Sequence, residues 1–428
     1  MSILTALRPL KDERGLSLIE ILVALAIAAL LLLGLSQVFI GSKNAYRLQE
    51  GMSRVQENAR FVTQYLEQNV RMAGYMGCGN DVDLTSKAGT PPAFLNHLKP
   101  ITSPLGVVPP VQDALNAQER FQRPIEGYTY TGATIGGPLP SEPGFGVPGD
   151  WSPAIGSIDT IAGIGTGIPT GAPDGPAAGS DILFLRIVSD ESTPLTGNFD
   201  MAAGTFSVTD PTFVEQPPKT YAITNCSNAR IFRASARPAG SNPIKALLAE
   251  NGLQLILTSP STWTGTFANL QFNQNGSILN GEVHRAEYLA LYVGLRVDPI
   301  NGNVPVLKVV NNGVIDDLAD NVESMRLWYG VDTDGDGAVD KYVKGNDLLL
   351  SDVSSPNARD AAWRKVLSVR ISLLMRSQDR AAVAAHTGDV LHDNVFKFFD
   401  ETLKRPDDGR FRDVYTTTIA LRNRLGNY

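Results

Sequence analysis

The densest set of cation-type ligands in the chain is Asp332-Thr-Asp334-Gly-Asp336-Gly337-Ala338-Val-Asp340. Oxygens at alternating positions, with glycine at the sixth for a sharp turn, suit a hard cation that takes about six to eight oxygen ligands. Ala338 offers its carbonyl and Asp340 a fourth carboxylate. The expected cofactor is therefore calcium, held by Asp332, Asp334, Asp336, Ala338 and Asp340. The twelfth position is Val343, whose side chain cannot ligate, so the loop departs from the helix-loop-helix pattern. Its flanks, Leu327-Trp-Tyr and Lys341-Tyr-Val, read as strand, which places the loop in a β-hairpin. The competing reading is an Asp/Gly turn that only joins two strands. Crowded carboxylates with Lys341 as their one basic neighbour in sequence repel each other, which favours a bound cation.

No other stretch offers chemistry of that kind. Cys78 and Cys226 are the only cysteines, and both follow the apolar N-terminal segment. In an oxidising compartment they are expected to pair, closing a loop long enough to add about 4–5 kcal/mol as an upper figure. His386 and His392, with Asp389 and Asp393, read as a polar surface turn, since histidines six apart share no helical face. The sequence has no nucleophile elbow, phosphate loop or Cys-His arrangement, and no catalytic residue is expected. The net charge is −7, and Arg422 and Arg424 lack interleaved aromatics, so no nucleic-acid partner is expected.

The element that must carry all this lies at the other end. From Leu16 to Ile40 the only charge is Glu20. Those 25 residues make roughly 37 Å of helix, enough for a hydrocarbon core of ~30 Å. Arg8, Lys11 and Arg14 precede the run, so the basic end stays in the cytoplasm and the rest is exported. A carboxylate at Glu20 costs at least ~2.5–3.5 kcal/mol in a membrane and needs a partner or a function. Gly15 is a small residue between a charged leader and this run. A cut after it keeps the whole apolar helix and leaves Leu16 as the new N-terminus. Removal of residues 1–15 takes away Arg8, Lys11, Arg14, Asp12 and Glu13, leaving a mature chain one unit more negative.

The helix is expected to continue beyond the membrane. Met52, Val55, Ala59, Val62, Leu66 and Val70 recur at spacings of three and four, one apolar stripe. No proline lies between Pro9 and Pro91, and Gly74 or Gly77 supplies a left-handed stop. The reading is a leader over 1–15, a transmembrane helix over 16–40, an amphipathic continuation over 41–76 and a β-rich globular domain over 77–428. Within that domain residues 89–180 hold more than half of the chain's 27 prolines. This stretch is expected to form surface loops and short strands draped over a sheet. Strand patterns follow at 182–188, 230–233, 253–258, 287–297, 304–310, 325–331, 366–375 and 414–421, mostly bounded by Asn, Gly, Asp or Pro. The fold class is α+β, with antiparallel strands packed on the helix stripe.

Gly15, Leu16 and Glu20 resemble the class III leader of type IV prepilins, in which Glu stands fifth in the mature chain. That resemblance implies cleavage after Gly15 by a prepilin peptidase and methylation of the new amine; the usual first residue is Phe, and here it is Leu16. It also implies that the Leu16 amine of one subunit pairs with Glu20 of another. Val369–Ser377, Tyr329–Gly337 and Tyr415–Arg424 resemble blocks of PilW-type minor pilins, and residues 89–180 show no such likeness. The resemblance implies a pilin-like fold and a minor subunit of the type IV pilus. Such a subunit takes part in a priming or tip complex with other minor pilins and pilin subunits, and a tip adhesin is a further candidate partner. It is anchored in the inner membrane with its C-terminal domain in the periplasm, and it serves fibre assembly, adhesion and twitching motility. The other readings are a tip pseudopilin of type II secretion, a DNA-uptake fibre subunit and a membrane-anchored periplasmic enzyme.

Overall fold

A computed structural model describes residues 17–77, 79–80, 94–96, 98, 119–132, 150–152, 175–196, 205–215, 219–225, 229–235, 242–250, 253–255, 273–274, 277–278, 281–298, 302–350, 356–380, 395–405 and 408–424. One helix, α1, runs unbroken from Leu18 to Met72, 55 residues. Ser17 caps it: the Ser17 hydroxyl accepts from the Glu20 N–H, and the Glu20 carboxylate accepts from the Ser17 N–H, a reciprocal capping box. Beyond Met72 the backbone turns at Gly74 and Gly77, whose φ values of 81° and 80° suit a residue without Cβ.

The two halves of α1 differ. Its membrane-length half is exposed on all sides, with Leu18, Leu22, Leu30, Val38 and Ile40 among its bare apolar side chains. The second half buries Val55, Ala59, Val62, Leu66 and Val70, the expected stripe, while Met52 is half-buried. Full burial of a Val or Leu side chain contributes roughly 1.5–3 kcal/mol, so this stripe holds the helix to the domain.

The helix packs against two sheets. The principal strands are β1 (Ile125–Tyr130), β2 (Ile182–Pro194), β3 (Lys219–Thr224), β4 (Ala229–Ser235), β5 (Ile244–Glu250), β6 (Glu282–Asp298), β7 (Gly302–Asn311), β8 (Val314–Asp320), β9 (Val322–Val331), β10 (Lys341–Val343), β11 (Val366–Arg380), β12 (Val395–Lys397), β13 (Thr402–Lys404) and β14 (Arg410–Ala420). The helices α2 (Gly345–Leu350) and α3 (Pro356–Arg364) lie between β10 and β11. Among the described residues the larger sheet has 12 strands, and its main path runs Leu253–Leu255, β5, β4, β3, β6, β2, β1, Trp151–Ser152. The long strand β6 pairs β2 along one edge; its other edge pairs β3 as far as Arg285 and β7 from Leu289 onward. The smaller sheet is β10-β9-β11-β14, all antiparallel.

One core joins these parts. Val62, Leu66 and Val70 of α1 share a buried cluster with Leu291 and Leu307 of the larger sheet and with Leu327, Ile371 and Ile419 of the smaller. The fold is thus α+β, a long N-terminal helix on antiparallel sheets.

The stretch 89–180 differs from the expectation where it is described. The strand β1 is not draped on the surface: all six of its residues are buried, and Ile125–Tyr128 pair with Leu185–Ile182 of β2. Its glycine explains the placement, since Gly127 lets β1 approach Tyr329 of the smaller sheet.

Candidate functional site

Two places carry the residues singled out from the sequence. The first is the start of α1. Ser17 donates to Glu20 Oε2 from its N–H at 3.0 Å and from its hydroxyl at 3.1 Å. The Glu20 carboxylate therefore has partners within its own chain, and it sits in the first helical turn, where negative charge meets the positive end of the helix dipole. Gly15 and Leu16 lie outside the described residues.

The second is the loop between β9 and β10. Tyr329, Gly330 and Val331 pair with Val343, Tyr342 and Lys341, so the loop closes a β-hairpin. Gly335 and Gly337 both adopt positive φ, 85° and 83°; the sixth-position glycine does make the sharp turn. Asp332 accepts from the N–H groups of Gly335 at 2.6 Å and Gly337 at 2.9 Å. Asp340 reaches back to the Thr333 N–H at 2.7 Å. These donors set the carboxylates' acidity: the Gly337 N–H, with Gly335, holds Asp332 below its usual value, and Thr333 does the same for Asp340.

One carboxylate oxygen from each of Asp332, Asp334 and Asp340 lies within 4.8 Å of the others. With Ca–O distances of ~2.3–2.6 Å, oxygens that near one another could be drawn around one cation. Asp336 is not in that group; its Oδ1 accepts from the Ala338 N–H at 2.8 Å. Two residues near the loop were not read from the sequence. Thr333 buttresses Asp340, and a hydroxyl inside an acidic loop was the available signal. Lys365 comes from the end of α3 and donates its ammonium to the Thr333 carbonyl at 3.1 Å; nothing in its local sequence points there.

Of the two C-terminal arginines, Arg422 is exposed and Arg424 is not. Arg424 is buried and donates to the carbonyls of Trp363 at 2.7 Å and Val366 at 3.0 Å. Asn423 donates to the Ala73 carbonyl at 3.3 Å, tying the last described turn to the end of α1. Cys78 and Cys226 lie outside the described residues, as do His386, Asp389, His392 and Asp393. The residue before Cys78 is placed: a Cβ built on Gly77 meets Thr224 Cγ2 at 2.4 Å, so residues 77 and 224 are in close contact.

Comparison with known families gives two matches. Residues 304–423 match the family described as Type IV Pilus-assembly protein W, and residues 10–36 match the prokaryotic N-terminal methylation motif. The first spans β7 to the turn after β14, and so takes in the whole smaller sheet with the acidic loop. The second covers Glu20 and most of the exposed apolar half of α1. No curated protein and no solved structure matches the chain. The chain therefore joins a prepilin-type N-terminal motif to a C-terminal region that matches the PilW family, and the combination supports the role of a type IV pilus minor pilin.

Proposed function

We propose that this minor pilin acts as a structural and interaction subunit of the complex that primes or tips the fibre. The observation that carries the reading is the contrast within α1. One half is bare apolar surface from Leu18 to Ile40, and the other is locked into the domain by Val55 to Val70. A helix that apolar on every side needs lipid or a bundle of like helices around it. The domain on its far end then stands on a fixed stalk, presented to neighbours. Arg8, Lys11 and Arg14 before the run orient the anchor with the domain in the periplasm and the leader facing the cytoplasm, in the inner membrane.

The finer assignments belong to the same proposal. A prepilin peptidase removes residues 1–15 and methylates the Leu16 amine. That amine pairs with Glu20 of a neighbouring pilin, in exchange for the capping bonds that Ser17 gives Glu20 within one chain. Other minor pilins and pilin subunits are the partners, with a tip adhesin as a further one. The loop of Asp332, Asp334 and Asp340 holds a calcium ion that stiffens the β9–β10 hairpin, and Cys78 pairs with Cys226. The test of the assembly role is Glu20→Ala in the full chain. Insertion into membranes is expected to be retained, with loss of co-purifying pilins and of fibres. Unchanged recovery of partners and unchanged fibre number would refute it.

A further inference from the structure

Arg370 lies on the face of β11 turned away from α1, since its neighbours Val369 and Ile371 belong to the helix-side core. In register it sits between Trp328 of β9 and Thr418 of β14. Its guanidinium carbon is 4.2 Å from the Tyr342 ring centre and 4.3 Å from that of Phe399, and those centres are 6.0 Å apart. Seen from the guanidinium, the two rings therefore stand at about a right angle and form a corner around it. Trp328 extends this wall, with its ring 5.8 Å from Phe399. The Arg370 Nε donates to Thr418 Oγ1 at 3.3 Å, which fixes the plane of the fork.

What distinguishes this arginine is what it lacks. Arg123, Arg186, Arg326 and Arg412 each meet a carboxylate, from Asp360, Glu126, Asp181 and Glu323 respectively. Arg370 makes no ion pair among the described residues, and its terminal nitrogens have no acceptor there. A guanidinium carries five N–H donors in a rigid fork whose geometry matches a carboxylate in two parallel bonds. Two rings and one hydroxyl hold the fork in place, so little freedom remains to be lost on binding. Beside it Phe399 is 52 % exposed, a large aromatic left open on the surface. Arginine and aromatic residues grouped on a surface are the composition of an interface anchor. The floor around them is polar and small: Ser368, Ser372, Thr416, Thr418 and, on β9, Gly330.

We propose that Arg370, Tyr342 and Phe399 form a docking site for an acidic side chain, Asp or Glu, on a neighbouring subunit of the assembly. The carboxylate would take the free edge of the Arg370 fork, and the methylene beside it would rest on the Phe399 ring. This inference rests on the reading of the protein as an assembly subunit; it adds the face by which the domain meets its neighbour.

The test replaces Phe399 by the photocrosslinking residue p-benzoylphenylalanine in the full-length protein in its own membranes. Mass spectrometry is expected to find the crosslink on an Asp- or Glu-bearing peptide of another pilus subunit. Arg370→Gln should lower the yield at least tenfold. Arg370→Lys, which keeps the charge but not the fork, should lower it less. Should Arg370→Gln fail to fold, judged by melting, Arg370→Lys decides. Reversing the crosslinked acid to Lys should abolish the product, and Arg370→Glu should restore it. A yield that ignores both Arg370 variants would overturn the proposal, as would a crosslink only to lipid or polysaccharide. Absence of any crosslink while pilus subunits still co-purify would overturn it too, and would leave the assembly role standing. Loss of co-purification from the unsubstituted protein would instead overturn the assembly role.

Discussion

Gly127 of β1 and Tyr329 of β9 touch so closely that a Cβ built on the glycine falls 1.7 Å from the tyrosine hydroxyl and 2.7 Å from its Cζ. The contact joins the proline- and glycine-rich stretch to the PilW-type region. Tyr329 cannot withdraw, being fully buried with its ring 4.9 Å from Trp363. Gly127→Ala is therefore expected to destabilise the domain by at least ~1–3 kcal/mol, the usual cost of overpacking. Tyr329→Phe alone should be close to neutral, because the hydroxyl has no hydrogen-bond partner among the described residues. Combined with Gly127→Ala it should recover part of the loss. Denaturant titration of the three variants checks this, and a fully additive double variant would contradict the contact.

Stability should fall on acidification through a second buried group. Burial works to raise the Glu126 carboxyl, but Arg120, Arg186 and Arg123 outweigh it and hold the group well below its ordinary value of 4.5. Below about pH 4.5 the unfolded chain takes up a proton that the folded one refuses, so folding weakens as pH drops. Asp317, Glu401 and Asp408 are also held low by basic partners and add to the same slope. Glu126→Gln should be less stable at neutral pH, with three arginines left facing a neutral amide, yet should lose less between pH 7 and pH 3.5. An undiminished acid slope in that variant would assign the effect to other groups.

For the acidic loop, calcium should raise the melting temperature of the full-length protein in detergent relative to chelator. Binding to the folded state alone adds ~2.7 kcal/mol at a hundredfold excess over the dissociation constant. Asp334→Asn should weaken the response, because Asp334 is one of the three clustered carboxylates. Asp336→Asn should largely keep it. Equal melting with calcium and with chelator would leave the loop as a turn satisfied by its own N–H groups.

The contact between Gly77 and Thr224 bears on the cysteines. Cys78 follows Gly77 directly and Cys226 comes two residues after Thr224 in sequence, which supports the proposed pairing. Peptide mapping of the exported protein without reductant should recover residues 78 and 226 in one linked peptide. Two separately alkylated thiols would refute the pairing.

These contacts also mark where sequence reading stops. The stripe from Val55 to Val70 was legible because a helix repeats its buried face every three to four residues. β2, β6, β9 and β11 were legible because their apolar runs exceed what a surface allows. Others were not, and three of them show why. Ile244–Glu250 reads Ile-Lys-Ala-Leu-Leu-Ala-Glu, residues that favour helix, and pairing with β4 overrides that preference. Val314–Asp320 carries Asp316, Asp317 and Asp320, charges that disguise a strand and also protect an exposed edge. Lys219–Thr224 is short and half polar. The buried arginines were hidden for a related reason: a charged residue reads as surface until its partner is known, and Arg186 meets Glu126 from 60 positions away. In the acidic loop the glycines and the hairpin followed from spacing. That Asp336 spends its oxygen on the Ala338 N–H depends on turn geometry that spacing leaves open.

Entry of the first helix into an assembly requires that the chain be processed as a pilin. Mass spectrometry of the N-terminus, on protein recovered from the membrane and from sheared fibres, reads that processing. The expected product begins at Leu16 with a methylated amine. An intact leader starting at Met1, or a chain cut within the apolar run, would overturn it.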